Sequence, residues 1–180
     1  MMRAVIDTNV LLVANEQHAE ASLDCVAVCV RLLQSMQANG ITVIDDSFLI
    51  LKEYQNKTQL QPPKGVGDIF LKWLLRNAGK TLHVEQVSVS ETAENTFAEF
   101  PDAELQLLFD APDRKFVAVA NAHSQKPPIL QAVDCKWLDW WQALQANGVR
   151  VDFLCPEDAC RFYRKKFPSK DIPAIPGQPK

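Results

Sequence analysis

The sequence contains no apolar run of the roughly 18 residues that a membrane-spanning helix needs. It also shows no secretory signal, because Asp7 interrupts the short apolar stretch near its start. We therefore expect a protein with no membrane partner, and we predict that it is cytoplasmic.

Cysteines are few, and their spacing fits no familiar framework. Their number is odd, and no two are spaced as a Cys-x-x-Cys pair. This pattern argues against a disulfide framework and against a structural zinc site, so we expect free thiols. Cys25 and Cys29 are four residues apart in a helical stretch and are predicted to face the core. The five are Cys25, Cys29, Cys135, Cys155 and Cys160.

An excess of positive charge is also missing, since the formal net charge is −3. Nucleic-acid-binding domains are often basic, so the overall charge does not by itself suggest such a partner. Local basic patches can still offset an acidic metal site without changing the overall charge. The histidines are three and scattered, so we expect none of them to bind zinc or act as a general base.

Hydrophobic residues make up 47% of the 180 residues, enough for a sizeable core. Short apolar strands alternate with helices whose apolar residues recur at three- and four-residue spacing. This order predicts an α/β fold with a mainly parallel sheet and helices on both faces. We expect one domain over residues 1–167 and a disordered, proline-rich tail over 168–180. The predicted strands are 3–7, 41–44, 81–89, 129–133 and 149–154, and the predicted helices are 20–38, 48–56, 69–77, 100–109, 113–122, 137–146 and 156–166.

Four acids lie at the ends of predicted elements. Asp7 and Asp134 each follow a strand, Glu53 lies on the helix after the second strand, and Asp113 opens a helix. Ligands of open α/β sheets bind beyond the carboxyl ends of the strands, where these acids can meet. Converging carboxylates repel one another unless a cation is present, and oxygen ligands favour Mg²⁺ or Mn²⁺. Such a centre hydrolyses phosphodiester bonds.

Four segments in chain order resemble the motifs of the PIN-domain family. They are DTNVLL at 7–12, LKEY at 51–54, DRKFVAVA at 113–120 and AVDCKW at 132–137. Each is weak alone, but all four occur in the family's order on the expected elements. The resemblance covers residues 3 to about 155.

The resemblance implies a three-layer α/β/α fold and a metal-dependent nuclease, most often an endoribonuclease acting on single-stranded RNA. Many relatives are toxins of toxin–antitoxin pairs, so an antitoxin or other protein partner, a homodimer, and a role in defence or RNA processing are further expectations. The resemblance makes the four acids the catalytic residues and the ligands of Mg²⁺ or Mn²⁺, with Thr8 and Asn9 supporting them. Arg114 and Lys115, next to Asp113, are candidate phosphate contacts.

The chain departs from the family pattern in two places. Lys136 stands where relatives often carry another acid, which leaves the number of metal ions open. Asp139 is a candidate to replace that acid. The stretch between Glu53 and Asp113 is longer than in minimal toxins and holds Pro62–Pro63 and room for an extra strand and helix.

Two other functions compete with the nuclease. A catalytically silent PIN-like interaction module would keep the fold without the activity. An aspartyl-phosphate phosphohydrolase also ends its first strand in Asp, but Asn9 occupies the place of the acid that its chemistry needs. Residues 161–167 interleave basic and aromatic side chains, which predicts either phosphate binding or cations that stabilise a helix C-terminus.

Overall fold

The computed structural model describes residues 1–177. Its centre is a five-stranded parallel sheet in the order β3-β2-β1-β6-β7. A separate antiparallel hairpin, β4-β5, stands outside this sheet. The strands are β1 (Met2–Ile6), β2 (Gly40–Asp45), β3 (Val84–Val87), β4 (Glu91–Ala93), β5 (Thr96–Phe97), β6 (Ile129–Gln131) and β7 (Val151–Phe153).

Helices cover the sheet, and the predicted three-layer α/β/α architecture is confirmed. Helices α1, α2 and α4 pack on one another, whereas α6 packs on β1, β2 and β6. No helix within residues 1–177 is both long and apolar enough to cross a membrane. The helices are α1 (Thr8–Ala14), α2 (Leu23–Asn39), α3 (Leu49–Lys57), α4 (Val66–Asn77), α5 (Ala103–Leu108), α6 (Arg114–Ala122), α7 (Trp137–Ala146) and α8 (Pro156–Lys166).

The central strands are apolar on both faces because both faces are covered. All six residues of β2 are buried, as are Ala4, Val5 and Ile6 of β1. Strands buried in this way read as continuous apolar runs rather than as alternating patterns. Backbone pairing continues past β1, where the Asp7 N–H donates to the carbonyl of Leu130 (2.9 Å). The register therefore fixes the position of Asp7 relative to β6.

The long stretch between Glu53 and Asp113 contains more structure than the sequence predicts. The predicted strand 81–89 is shorter, and it forms the edge of the sheet beside β2. The hairpin and α5 follow it. Gln106 of α5 is buried and exchanges hydrogen bonds with the backbone of Phe97, at 2.7 and 3.2 Å. β5 in turn packs on α6, where the Asn121 side-chain amide donates to the carbonyl of Glu99 at 2.8 Å, so the insertion is attached to α6.

The expectation of free thiols is wrong for two cysteines. Cys25 of α2 and Cys155 before α8 form a disulfide, with their Cα atoms 5.4 Å apart. Cys29 lies one turn further along α2, and its sulfur lies within 4.8 Å of both disulfide sulfurs. The partners are 130 residues apart, so local spacing could not reveal the pair. Disulfides are rare in a reducing cytoplasm, so this pair does not support a cytoplasmic location, which stays a prediction.

The tail also differs from its predicted disorder over the described part. Ile172 and Ile175 pack against the hydrophobic core. The indole N–H of Trp141 donates to the carbonyl of Ala174 at 2.9 Å. Proline-rich sequence lacks helical or strand periodicity, but it can still dock as an extended segment. The remaining predicted tail, 178–180, lies outside the described residues.

Candidate metal centre

Two strand ends deliver the first and last acids to one edge of the sheet. Asp7 follows β1 directly, and Asp134 follows β6 after a short loop. β2 also ends in an acid, Asp45, but its oxygens accept the backbone N–H groups of Leu49 and Ile50 at 2.7 and 2.9 Å. Asp45 therefore caps α3, the helix that carries Glu53.

Asp7 is the most enclosed of the four acids, with 4% of its surface exposed. Its Oδ1 accepts the backbone N–H of Asn9 at 2.9 Å and the Asn9 side-chain amide at 2.6 Å. Its Oδ2 is buried and has no hydrogen-bond partner among the described residues. Buried carboxylate oxygens are normally hydrogen bonded, so this oxygen is one that a cation could use.

Asn9 ties the ends of β1 and β6 together. Its side-chain oxygen accepts the backbone N–H groups of Ala132 and Val133, at 2.8 and 3.2 Å, while its amide group donates to Asp7. Those two residues precede Asp134 directly. Asn9 thus fixes the spacing between the first and the fourth acid, which is the supporting role that the family resemblance implies for it.

Glu53 is held by Thr8 and Lys115. The Thr8 hydroxyl donates to Glu53 Oε1 at 2.5 Å. The Lys115 ammonium forms an ion pair with Glu53 Oε2 and also donates to the carbonyl of Pro112. Lys115 is only 7% exposed. Its cation therefore belongs to the interior of the cluster and is not a free surface contact for phosphate, which differs from the sequence-based interpretation.

Arg114 differs from its predicted role as well. Its guanidinium donates to the carbonyl of Phe109 at 3.1 Å and to that of Asn95 at 3.3 Å. Asn95 sits in the turn of the β4-β5 hairpin. Arg114 therefore anchors the insertion to α6 through two of its three guanidinium nitrogens.

Electrostatics place the four acids in one neighbourhood. Burial and the negative charges of Asp7, Asp134 and Glu53, opposed by Lys115, together raise the pKa of Asp113 to about 8. The pKa of Asp7 is raised to about 7 by burial, which the Asn9 hydrogen bond opposes and the charges of Asp134 and Glu53 assist. Burial also raises the pKa of Asp134. Acids that repel in this way share a single site.

The spacing of the acids is wider than that of a closed three-ligand site. Within residues 1–177, the only three potential ligand atoms that lie within 4.8 Å of one another are the sulfurs of Cys25, Cys29 and Cys155. Mg²⁺ does not require tight convergence, because it usually keeps several waters and takes one or two carboxylates directly. The bare Oδ2 of Asp7 and an all-carboxylate donor set both fit such an ion.

Lys136 introduces a second cation beside Asp134. Its backbone N–H donates to Asp134 Oδ1 at 3.2 Å, and its ammonium pairs with Asp110 and lies 3.9 Å from Asp134 Oδ2. Asp139 does not replace the missing acid, because its Oδ1 accepts the hydroxyl of Tyr163 at 2.6 Å. The Asp134 side of the cluster is therefore partly neutralised by lysine.

Sequence reasoning missed one buried participant. Tyr54 is fully buried, and its hydroxyl donates to the carbonyl of Ile6, the last residue of β1. Burial raises its pKa well above the usual value, and the charges of Asp7, Glu53 and Asp45 add to that effect. Tyr54 therefore stays protonated and pins α3 to the strand that carries Asp7. Its position directly after Glu53 was the only available signal.

Cavities flank the acids on two sides. One of about 320 Å³ is lined by Glu53 and Lys115 together with residues of the β4-β5 hairpin. Another of about 540 Å³ is lined by Asp134 and Asn9 together with residues of α8. The acid cluster is thus bordered by concave surface at both its Glu53 end and its Asp134 end.

Comparison with known proteins adds no relative. No protein-family model, curated protein or solved structure matches the chain at a significant level.

Proposed function

We propose that this protein is a metal-dependent nuclease of the PIN-domain type that hydrolyses phosphodiester bonds in single-stranded RNA. The observation that carries the proposal is the bare, buried Oδ2 of Asp7 within a cluster of four mutually repelling acids. Folding has buried these carboxyl groups without satisfying them, so their ionisation costs stability unless a cation compensates. The resemblance of four ordered motifs to the PIN family supports the same conclusion.

In this proposal Asp7, Glu53, Asp113 and Asp134 hold Mg²⁺ or Mn²⁺. When bound, the ion would polarise the phosphodiester and lower the pKa of an attacking water. Thr8 and Asn9 position Glu53 and Asp7 through the hydrogen bonds described above.

The chain's own cations suit a substrate that carries negative charge. Lys115 lies against Glu53 inside the cluster, and Lys136 lies beside Asp134. They offset part of the acidic charge that would otherwise repel a phosphate. The toxin role, a cognate antitoxin, a homodimer and a role in RNA processing rest on the family resemblance alone and remain proposals.

The second candidate is a catalytically silent interaction module, and Lys115 is the observation that favours it. A buried ammonium already pairs with Glu53, so one acid of the set has a resident cation. The phosphohydrolase alternative loses support, because both ends of the Asn9 side chain are engaged in holding Asp7 and the loop before Asp134.

The test is cleavage of an end-labelled single-stranded RNA in millimolar Mn²⁺ or Mg²⁺, with an excess of EDTA as the metal-free arm. We expect cleavage that EDTA abolishes and that Asp7→Asn abolishes in a protein of unchanged fold. Asp46→Asn, an exposed aspartate outside the cluster, is the matched control and should cleave like the wild type. Cleavage that persists in EDTA would exclude the metal mechanism, and no cleavage under any condition would favour the interaction module.

A further inference from the structure

The 540 Å³ cavity at the Asp134 end of the cluster is lined in part by residues that the proposed metal site does not use. Helix α8 contributes Phe162, Lys165 and Lys166, and the segment after α1 contributes His18 and Glu20. Its volume lies within the range of small-molecule sites, about 300–1,000 Å³. Because Asp134 also lines it, whatever occupies the cavity lies next to the proposed reaction site.

The floor of this cavity is aromatic. The His18 and Phe162 rings are 4.9 Å apart between centroids and tilted by 44°. Nδ1 of His18 is buried and has no hydrogen-bond partner among the described residues. An imidazole nitrogen can donate or accept, depending on the tautomer. The floor therefore offers two tilted aromatic rings, of which Phe162 is only 9% exposed.

The rim of the cavity is basic, and its two lysines differ. Lys165 pairs with Glu20 at 2.6 Å. Lys166 is exposed and has no carboxylate within 4.0 Å in the part of the chain that the structure describes. Lys166 is therefore the cation available to an anionic ligand.

We propose that this cavity binds one nucleotide of a single-stranded nucleic acid, with its base against His18 and Phe162 and its phosphate at Lys166. The inference rests on the proposed nuclease function and adds a substrate position beside Asp134. Aromatic surfaces stack bases with little regard to sequence, and a cationic groove follows the backbone. Of the interleaved basic and aromatic residues 161–167, α8 turns Phe162, Lys165 and Lys166 towards this cavity, whereas Arg161 pairs with Asp158 and Tyr163 donates to Asp139.

The test separates the base from the phosphate. We would measure binding of a fluorescein-labelled single-stranded RNA ten nucleotides long by anisotropy, in EDTA and low salt, so that no cleavage occurs. A matched probe of the same length has abasic sites in place of its bases. His18→Ala should weaken binding of the normal RNA roughly tenfold, as loss of a stacking contact does, and should leave binding of the abasic probe unchanged.

Lys166→Gln should weaken binding of both probes and reduce the dependence of log Kd on log salt by about 0.7. Glu20→Gln should tighten both, because it removes the charge that pairs with Lys165. Lys80→Gln is the control: Lys80 is exposed and precedes β3, at the edge of the sheet opposite the acids. It makes the same charge change and should leave both affinities within twofold of the wild type.

Wild-type affinity and salt dependence in both His18→Ala and Lys166→Gln would overturn the inference, as would the absence of any RNA binding by the wild type. Lys166 is exposed, so its substitution keeps the test valid if His18→Ala melts early. The two proposals fail separately. Cleavage with unchanged variant binding rejects the cavity alone, whereas weakened variant binding without any metal-dependent cleavage rejects the nuclease and retains the nucleotide site.

Discussion

Two enclosed aspartates lie in this molecule under opposite conditions. Asp68 of α4 is 2% exposed, and its two oxygens accept the backbone N–H groups of Gln59, Lys64 and Gly65 and the side-chain amide of Asn15, at 2.7–3.3 Å. Burial raises its pKa, but these hydrogen bonds outweigh burial, and the net pKa is lowered. Asp68 is therefore a charged residue that folding fully satisfies.

Asp7 is nearly as enclosed, at 4% exposure, yet its pKa is raised to about 7. Only one of its oxygens is hydrogen bonded, and its charged neighbours are mostly acids. The two residues have similar solvent exposure, but they differ in the number of donors and also in depth, because Asp7 lies deeper inside the protein and burial raises its pKa. A buried acid with all its partners stabilises the loop around it, whereas one with a bare oxygen among other acids costs stability and is suited to bind a cation.

The sharpest test of this comparison is the same substitution at both positions. Asp68→Asn replaces an acceptor oxygen with an NH₂ group that faces backbone donors, and should cost about 3 kcal/mol of unfolding free energy. Asp7→Asn should leave the metal-free protein as stable or more stable, but should reduce RNA cleavage by roughly 100-fold or more. Chemical denaturation and initial cleavage rates measure the two effects.

We expect opposite effects of the two substitutions. Asp68→Asn lowers the unfolding free energy and keeps RNA cleavage per folded molecule, whereas Asp7→Asn keeps the unfolding free energy and loses RNA cleavage. Equal destabilisation by both substitutions would mean that Asp7 is also a structural residue, and the contrast would disappear.

The pH dependence of stability should separate the two kinds of acid in the wild type. The pKa values of Asp7 and Asp113 are raised to about 7 and about 8, so between pH 4 and 8 the folded state holds protons that the unfolded state has lost. The metal-free protein should therefore become less stable as pH rises from about 5 to 8. The lowered pKa of Asp68 acts in the opposite sense, since its contribution is present above pH 3.8 and lost as pH falls below it.

Thermal melts in EDTA from pH 3 to pH 8.5 would measure both the loss of stability at acid pH and the decline between pH 5 and 8. Asp113→Asn should flatten the decline between pH 5 and 8, and Asp68→Asn should flatten only the loss at acid pH. With Mn²⁺ bound, stability should rise instead of fall between pH 5 and 8, because a metal ion needs ionised ligands. If the stability of Asp113→Asn declined as steeply as that of the wild type, groups outside the acid cluster would cause the decline.

The contrast between these aspartates could not be predicted from the sequence. The fold class could, because apolar strands and amphipathic helices alternate with clear periodicity, and the observed ends of α7 and α8 coincide with the predicted ones. The four acids could be proposed because strand ends and helix starts are visible in the pattern. Their hydrogen-bond partners could not, since Asp68 and Asp7 are both simply acids near helix starts.

Long-range contacts account for the remaining differences. The Cys25–Cys155 disulfide, the ion pair of Lys115 with Glu53 and the docking of Ile175 each join segments that are distant in sequence. Arg114 and Lys115 seemed equivalent in sequence because they are adjacent. One turns to the hairpin backbone and the other into the acid cluster, and only the packing of α6 decides between these directions.

The charge of Lys115 offsets part of the repulsion among the acids when no metal is bound. Removing that charge tests the contrast between Asp7 and Asp68 further. Lys115→Gln leaves Glu53 without its ion-pair partner and should lower metal-free stability by about 2 kcal/mol. The same change removes a cation from the site, so Mn²⁺ should bind the variant more tightly and stabilise it more than the wild type.

Denaturation with and without Mn²⁺ measures both effects, and Lys52→Gln, an exposed lysine on α3 next to Glu53, provides the control. If Mn²⁺ stabilised Lys115→Gln no more than it stabilises Lys52→Gln, Lys115 would have no electrostatic connection to a metal site.

Asp113→Asn should have the smallest effect on stability, and it tests whether the acids store repulsion. Burial and the charges of Asp7, Asp134 and Glu53 raise the pKa of Asp113 to about 8, so its carboxyl is ionised, and repelled by the other acids, only above that pH. At pH 8.5 Asp113→Asn should therefore stabilise the metal-free protein by about 1 kcal/mol at an effective dielectric constant near 20. The side chain of Asp113 makes no capping hydrogen bond to α6, so Asn removes no helix cap. Mn²⁺ should then stabilise the variant much less than the wild type, because one ligand is gone. Thermal melts of both proteins in EDTA and in millimolar Mn²⁺ give all four values.

Asp102→Asn, at the residue that caps α5 through its side chain, is the matched control for a plain helix-start aspartate: it should lose a little stability and respond to Mn²⁺ like the wild type. If Asp113→Asn behaved like Asp102→Asn, Asp113 would be an ordinary surface acid, and the centre would have three acids instead of four.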